Sequence, residues 1–467
     1  MSIGAWILFS LRELWALAVS YTTSTWNRKS GDHFMWAPYN NILQMRCLSA
    51  MPKSSPPHSA DRFEGDCIAE RSYIPQEVAE IIISYLAGDS RSLRKCSLVC
   101  KSWVHPSRIH LFKNIVLNFY EPLRPGLGQY HNPFRSITRK STALLRCLDR
   151  SPHLAWYFLS LEIRNCWCVN SSSKSLKEVL HILVRLLPKL RHVTRFVLRN
   201  SHWESLSDKE VRRSISTLLA LPTLKHINLD TLTLLTYKDL ADLLSVSAQL
   251  STLVLNDVTC IKALPTDDVS KCHWNRISAA QSVDLQELQI DSPGLSPHLD
   301  WLCSSQSPFN VGNIQRLHVS ARSLSRNAVT HLLHNSCKTL DLLELGPTLT
   351  SDLGLHMNLG MMANIRSLTL RLVTIDASSA TAFFRPLDAS QVYALEEVTI
   401  ELLSPALIWR DWSELDASLS QPELAQLRRI EIQVPAGIWR WTNPNFEKFR
   451  AQFPAMEERG ILRIRTD

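Results

Sequence analysis

A chain of 467 residues is long enough for two or three domains or for one extended repeat array. Its 45% hydrophobic and 20% charged residues are those of a folded protein and exclude wholesale disorder. The 13 glycines, together with the lack of GxGxxG or GxxxxGK patterns in the sequence, weigh against a nucleotide-binding enzyme.

In chain order, the first segment is apolar from Ile3 to Tyr21, with Ala16-Leu17-Ala18 faintly like a signal-peptidase site. Arg12 and Glu13 interrupt it, no cation precedes it, and the uninterrupted part is too short to span a bilayer. Three readings stay open: an upstream extension foreign to the native protein, a loosely ordered leader, and a membrane anchor. Residues 1–70 are therefore expected as a poorly ordered leader. The polar run beginning at Met51 (MPKSSPPHSADR) resembles a flexible start.

The stretch Ile74–Trp103 is the most informative in the chain. Ile74-Pro75 opens it with a proline preset for a first helical turn, and Val78, Ile81, Ile82, Tyr85 and Leu86 follow at helical spacing. Gly88-Asp89 breaks the run, and a second short amphipathic run, Leu93 to Val99, leads into Cys100-Lys101-Ser102-Trp103. A helical unit of about forty residues buries too little by itself, so it is expected to keep an apolar face for a partner.

Those residues resemble the F-box, the motif by which substrate receptors dock on Skp1 in cullin-RING ubiquitin ligases. The family opening Leu-Pro-x-Glu followed by Leu, Ile or Val is matched by Ile74-Pro75-Gln76-Glu77-Val78, and its first-helix ending by Ile81 to Leu86. Its second block is matched by Leu93, Cys96, Val99, Cys100, Lys101 and Trp103, and the tail Ser107–Phe112 also looks like the fungal variants. The resemblance covers residues 71–117. It implies that Ile74, Pro75, Val78, Ile82, Leu86, Leu93, Val99 and Trp103 form or support the face that packs on a Skp1-like adaptor.

Net charge is +8 and unevenly placed. Residues 121–200 hold 14 Lys/Arg against 4 Asp/Glu, whereas 201–467 hold 24 against 30. Residues 118–150 are expected as a basic junction with a Pro-rich loop over Glu121–Pro133. Arg135, Arg139, Lys140, Arg146 and Arg150 are its candidate basic patch. A solvated surface explains them most simply; a site for an acidic or phosphorylated segment, or for nucleic acid, is the sharper alternative.

From residue 151 onward an apolar triplet recurs, two residues apart and then one. Its instances run from Phe158/Leu161/Ile163 and Val193/Phe196/Leu198 through to Leu427/Ile430/Ile432, ten in all. Phe112/Ile115/Leu117 fits the same pattern. Period-two alternation gives a short strand with one buried face, and repetition about every thirty residues gives a stack of repeats. Ser175–Glu178 and Ser207–Glu210 read as capping boxes that start the intervening helices, with Thr236 and Asp239 as a looser version. Asp239–Leu244, Ala328–Leu333 and Glu423–Leu427 also read as helical.

The pattern looks like a degenerate leucine-rich-repeat fold over 151–467. The expected class is α/β, a small helical F-box followed by an irregular solenoid of parallel strands alternating with helices; an α/β domain with several parallel strands is the alternative. Asn200, Asn256 and Cys166 are candidates for the side chain that bonds the turn backbone after the strand. Gly437–Pro444 and Gly460–Arg465 are expected to form a terminal cap.

No GxSxG, HExxH or paired Cys/His nucleophile motif occurs, and the eleven scattered cysteines suggest neither a disulfide framework nor a four-ligand zinc set. Cys166-Trp167-Cys168 and Cys260 with Cys272-His273 are the closest groupings. The expectation is a non-catalytic adaptor without cofactor or metal, working in the cytoplasm or nucleus. Through Skp1 it would join a cullin-RING ligase and hold a protein substrate of unknown identity. A non-ligase scaffold and a nucleic-acid-binding protein using residues 121–200 are the alternatives. The alternating strand positions Glu162, Asn228, Gln289, His318, Glu344, Thr369, Thr399 and Glu431 would face the substrate.

Overall fold

A computed structural model describes residues 74–119, 134–166, 174–206, 208–261, 283–292, 296–304, 307–320, 326–346, 359–372, 393–404, 411–434 and 443–466, with single positions 381, 383, 384, 387 and 407. Every described residue lies in the unit Arg62–Asp467. The expected leader, the loop Glu121–Pro133, Cys168, Cys272-His273 and residues 437–442 of the expected cap lie outside the described residues.

The class is α/β, with a large parallel sheet and helices. The described residues begin with three helices, α1 (Gln76–Tyr85), α2 (Ser90–Cys96) and α3 (Lys101–Phe112). Pro75 precedes the first turn as its N-cap instead of entering it. Asp89 caps α2 by accepting hydrogen bonds from the Arg91 and Ser92 amides at 3.0 and 3.2 Å. Trp103 falls on the third helix, which the buried Pro106 does not break.

The chain then enters β1 (Asn114–Asn118), α4 (Phe134–Arg150), β2 (Ser160–Arg164), α5 (Lys174–Leu186), β3 (Arg195–His202), α6 (Lys209–Leu219), β4 (His226–Leu234) and α7 (Tyr237–Leu244). Strand β5 (Thr252–Asn256), the short β6 (Thr259–Cys260) and β7 (Val283–Asp284), and β8 (Glu287–Asp291) follow, then α8 (Ser296–Leu302) and β9 (Phe309–Asn310). The remaining elements are β10 (Arg316–Val319), α9 (Arg326–Ser336), β11 (Leu342–Leu345), β12 (Ser367–Leu372), β13 (Glu397–Leu402), α10 (Ser413–Leu419), β14 (Arg429–Val434), α11 (Asn443–Arg450), α12 (Pro454–Glu458) and β15 (Leu462–Thr466).

The large sheet runs β1-β2-β3-β4-β5-β8-β10-β11-β12-β13-β14-β15, with β6 beside β4; β7 and β9 pair separately. Strand order therefore follows chain order, and neighbours are parallel, as in β2 beside β3 and β13 beside β14. A parallel neighbour requires the chain to cross back each time, and helices make that return between β2 and β3 (α5), β3 and β4 (α6) and β4 and β5 (α7). The triplets set the register. Leu161 stands opposite Phe196, Phe196 opposite Ile227, and Ile227 opposite Leu253, so one apolar row continues from rung to rung. Both strand positions of every triplet are buried in one continuous core. Each such Leu or Ile contributes roughly 1.5–3 kcal/mol, which no rung could collect without its neighbours.

Local starts differ in detail from expectation. Thr236 and Asp239 form a complete capping box on α7. By contrast α6 is capped by Asp208, which accepts from the Glu210 amide at 2.8 Å, and Ser175 lies inside α5, past its start. Glu423–Leu427 is no α-helix: a 3-10 turn over Pro422–Leu424 stands there, and α10 precedes it. Gly460, at φ +68°, turns the chain into β15, so the run Gly460–Arg465 supplies one more rung of the same ladder.

Candidate interaction surfaces

The three helices are held together from within. Ala79, Ile83 and Leu93 are buried, while Ile74, Val78, Ile81, Tyr85, Leu98 and Val99 remain exposed, Tyr85 at 84% and Leu98 at 81%. A unit this small cannot turn all its apolar residues inward, and the surplus is gathered on α1 and the turn after α2. Among the residues singled out from sequence, Ile74, Pro75, Val78 and Val99 are exposed, Ile82, Leu86 and Trp103 half-buried, and Leu93 interior. Tyr85 and Ile81 fit the helical spacing but belong on the surface list, and Leu98 was missed because it lies in the turn.

This unit is joined firmly to the first two rungs. His105 Nδ1 lies 3.1 Å from the Tyr157 hydroxyl, and Phe112 meets Phe158 edge-on with ring centres 5.9 Å apart. The Lys113 carbonyl accepts from the Leu159 and Ser160 amides at 3.0 and 2.8 Å, so the helical unit feeds into the ladder without a free linker.

The second surface is the polar face of the strands. The register places Glu162, Val197, Asn228, Val254, Gln289, His318, Glu344, Thr369, Thr399 and Glu431 in a single row. Most are half-buried by their neighbours; Val197 and Glu431 are buried. The residues two positions further along each strand extend the face, and Arg164, Arg199 and Arg371 stand among them. Arg199 Nε lies 2.6 Å from Asp230 and its Nη1 3.7 Å from Glu162, which also takes two bonds from Arg164 at 2.6 and 2.7 Å. Arg371 bridges Glu344 and Glu401 at 2.6 and 2.7 Å. Reading only the central position of each triplet overlooked these arginines, although the period of two extends to them.

The turn after the strand is satisfied differently from expectation. Asn165, Asn200, Thr231 and Asp257 occupy left-handed backbone on successive rungs, and Asn200 donates to Asn165, which donates to Asn118, at 3.2 and 2.8 Å. The buried backbone is served by serines. Ser292 Oγ donates to the Leu255 carbonyl at 3.0 Å and accepts from the Val258 amide at 2.8 Å; Ser201 Oγ accepts from the Cys166 amide at 3.3 Å. Asn256 has no such bond from its side-chain oxygen. An Asn or Cys signature could not reveal a serine doing the same task.

The basic segment lies on α4. Arg139, Arg146 and Arg150 are exposed and Lys140 is half-buried, while the side chain of Arg135 lies outside the described residues. Asp149 at the helix end is bonded by Lys189 at 2.9 Å, which holds its carboxyl below the usual range. Close by in the chain, Trp156 is exposed and stacks on His192 with ring centres 4.6 Å apart.

Burial pushes the Cys260 thiol up to about 12 and the Cys303 thiol to about 11, which suppresses thiolate formation. Cys100 is shifted the other way by the Ser102 hydroxyl 3.0 Å from its sulfur. Among the described residues no group of three His, Cys, Asp or Glu side chains could hold a metal ion, and no helix is long and apolar enough to cross a membrane. No protein-family model matches the chain, and no curated protein matches it.

Proposed function

We propose that the chain is the substrate-binding subunit of a Skp1-cullin-F-box ubiquitin ligase. In this reading α1 to α3 are the F-box, and the strand–helix rungs are a degenerate leucine-rich repeat that holds a protein substrate. The observation that carries it is the exposed apolar set Ile74, Val78, Ile81, Tyr85, Leu98 and Val99 on a unit whose own interior is already filled by Ala79, Ile83 and Leu93. Apolar surface of this kind, on a small unit bearing the motif residues, suits a permanent helical partner.

The chain would perform no bond chemistry itself. Its rigid junction through Lys113, His105 and Phe112 would fix the substrate at a set position relative to the ligase, raising the effective concentration of substrate lysines. Such a receptor works in the cytoplasm or nucleus.

Co-purification of the full chain with Skp1 tests this directly. Binding by the intact chain, lost in a folded Val78→Asp, Val99→Asp double variant, is the expected result. An intact, folded chain that fails to bind Skp1 overturns the proposal. Skp1 retained without cullin would instead favour an F-box scaffold acting outside a ligase.

A further inference from the structure

The strand order ends at β15, and this edge is open among the described residues. The Ile430 amide donates to the Ile461 carbonyl at 2.9 Å, with Ile430 opposite Leu462. In a parallel ladder that register turns the backbone groups of Ile461, Arg463 and Arg465 toward β14, and the N–H and C=O of Leu462 and Ile464 toward the open side. The apolar side chains tell the same story: Ile430 and Ile432 are buried, whereas Leu462 and Ile464, their neighbours on β15, are only half-buried. The edge contains no proline. Open edges with unpaired backbone groups are templates for another strand.

Arg463 and Arg465 decide what could pair there. A second copy is disfavoured: an antiparallel pairing of two such edges about Ile464 sets Arg463 of one copy opposite Arg465 of the other, like charge against like. The preceding rungs show the preferred complement. Across β11 to β15 each of these carboxylates meets a guanidinium on the neighbouring strand, as Glu344–Arg371–Glu401, Glu397–Arg429 and Glu431–Arg465. The rung after two arginines would carry carboxylates.

We propose that β15 receives an extended protein segment as a further parallel or antiparallel strand, with carboxylates at alternate positions and β-branched residues between them. Backbone bonds to Leu462 and Ile464 supply the affinity, and Arg463 and Arg465 select acidic partners. The site goes beyond the adaptor reading and does not depend on α1 to α3.

The test uses the full chain and a fluorescein-labelled nonapeptide alternating glutamate and valine, followed by anisotropy. Saturable binding is expected, with slowed hydrogen exchange at the Leu462 and Ile464 amides. Arg463→Glu with Arg465→Glu should weaken it about ten-fold, since attractive cross-strand pairs become repulsive, and should favour a lysine–valine peptide. Ile464→Pro removes the outward amide together with a half-buried side chain, keeps the β14-facing backbone groups of Arg463 and Arg465, and should abolish binding. A peptide N-methylated at alternate residues keeps its charge and should not bind. No binding by the glutamate–valine peptide, equal binding of the N-methylated peptide, or protection that appears elsewhere would each overturn the proposal. Skp1 binding is read separately, so either idea can fail alone.

Discussion

His318 Nδ1 lies 2.6 Å from Glu344 Oε2 on the next strand, and the other oxygen of that carboxylate accepts from Arg371 at 2.6 Å. Arg371 in turn reaches Glu401, so four successive rungs, β10 to β13, share one line of polar contacts. Burial by itself would raise the Glu344 carboxyl, but the hydrogen bond from His318 and the charges of His318 and Arg371 outweigh it and hold it below its ordinary 4.5. The polar face is thus fixed by its own pairs before any partner arrives.

That lowered carboxyl makes stability depend on pH in one direction. The folded chain binds the Glu344 proton more weakly than the unfolded chain, so its contribution is complete above the ordinary value of 4.5 and is lost as pH falls through the lower folded value. Glu344→Gln should therefore flatten the acid side of a stability profile below about pH 5 while changing little of its slope above. An acid limb unchanged by the substitution would refute the assignment.

Under the proposed docking of the helical unit, folding and binding fall on different residues. Ile83 is buried and Tyr85, two positions on, is exposed. Ile83→Ala should cost about 2–4 kcal/mol in chemical denaturation. Tyr85→Ala should leave the midpoint within about 0.5 kcal/mol yet weaken adaptor binding.

The ladder was legible because its signal is periodic: each triplet from Phe158/Leu161/Ile163 to Leu427/Ile430/Ile432 is buried, and the central row follows by alternation. Helix starts were less legible. Ser207 and Asp208 are both good caps, and only backbone geometry decides for Asp208. The exposed Leu98 escaped because a residue in a turn belongs to no periodic pattern. The arginines of the polar face escaped because pairing between Arg371 and Glu401 depends on register across thirty residues, which no local spacing encodes.

Ser292 should be a costly residue to lose despite its size. It is fully buried, and its hydroxyl serves both the Leu255 carbonyl and the Val258 amide on the preceding rung. Ser292→Ala leaves both backbone groups buried without their partner, at about 1–3 kcal/mol. Thermal or urea unfolding would check this, and a neutral outcome would mean that water replaces the hydroxyl.

Gly346 marks a close approach between rungs. Its amide donates to the Val319 carbonyl at 2.6 Å, and a Cβ built there would strike the Cα and side chain of Ser320. Because the first obstacle is backbone, Gly346→Ala forces β10 and β11 apart and should cost about 1–3 kcal/mol. Pairing the change with Ser320→Gly relieves part of the contact, so the double variant should recover some of that loss in the same unfolding measurement.

Asp416 ties the last rung to the one before it. It is buried, and its two oxygens accept from the Ala455 and Met456 amides at 3.0 Å each, at the start of α12, the helix that leads into β15. Asp416→Ala removes both acceptors and leaves two amides unserved, so about 1–3 kcal/mol should be lost locally. Since α12 and Gly460 deliver the chain to β15, the loosening should appear first there. Hydrogen exchange would show faster exchange of the β14-bonded amides of Arg463 and Arg465 before the rungs from β2 to β5 respond. Uniform acceleration across all rungs would instead mean that the ladder unfolds as one cooperative block.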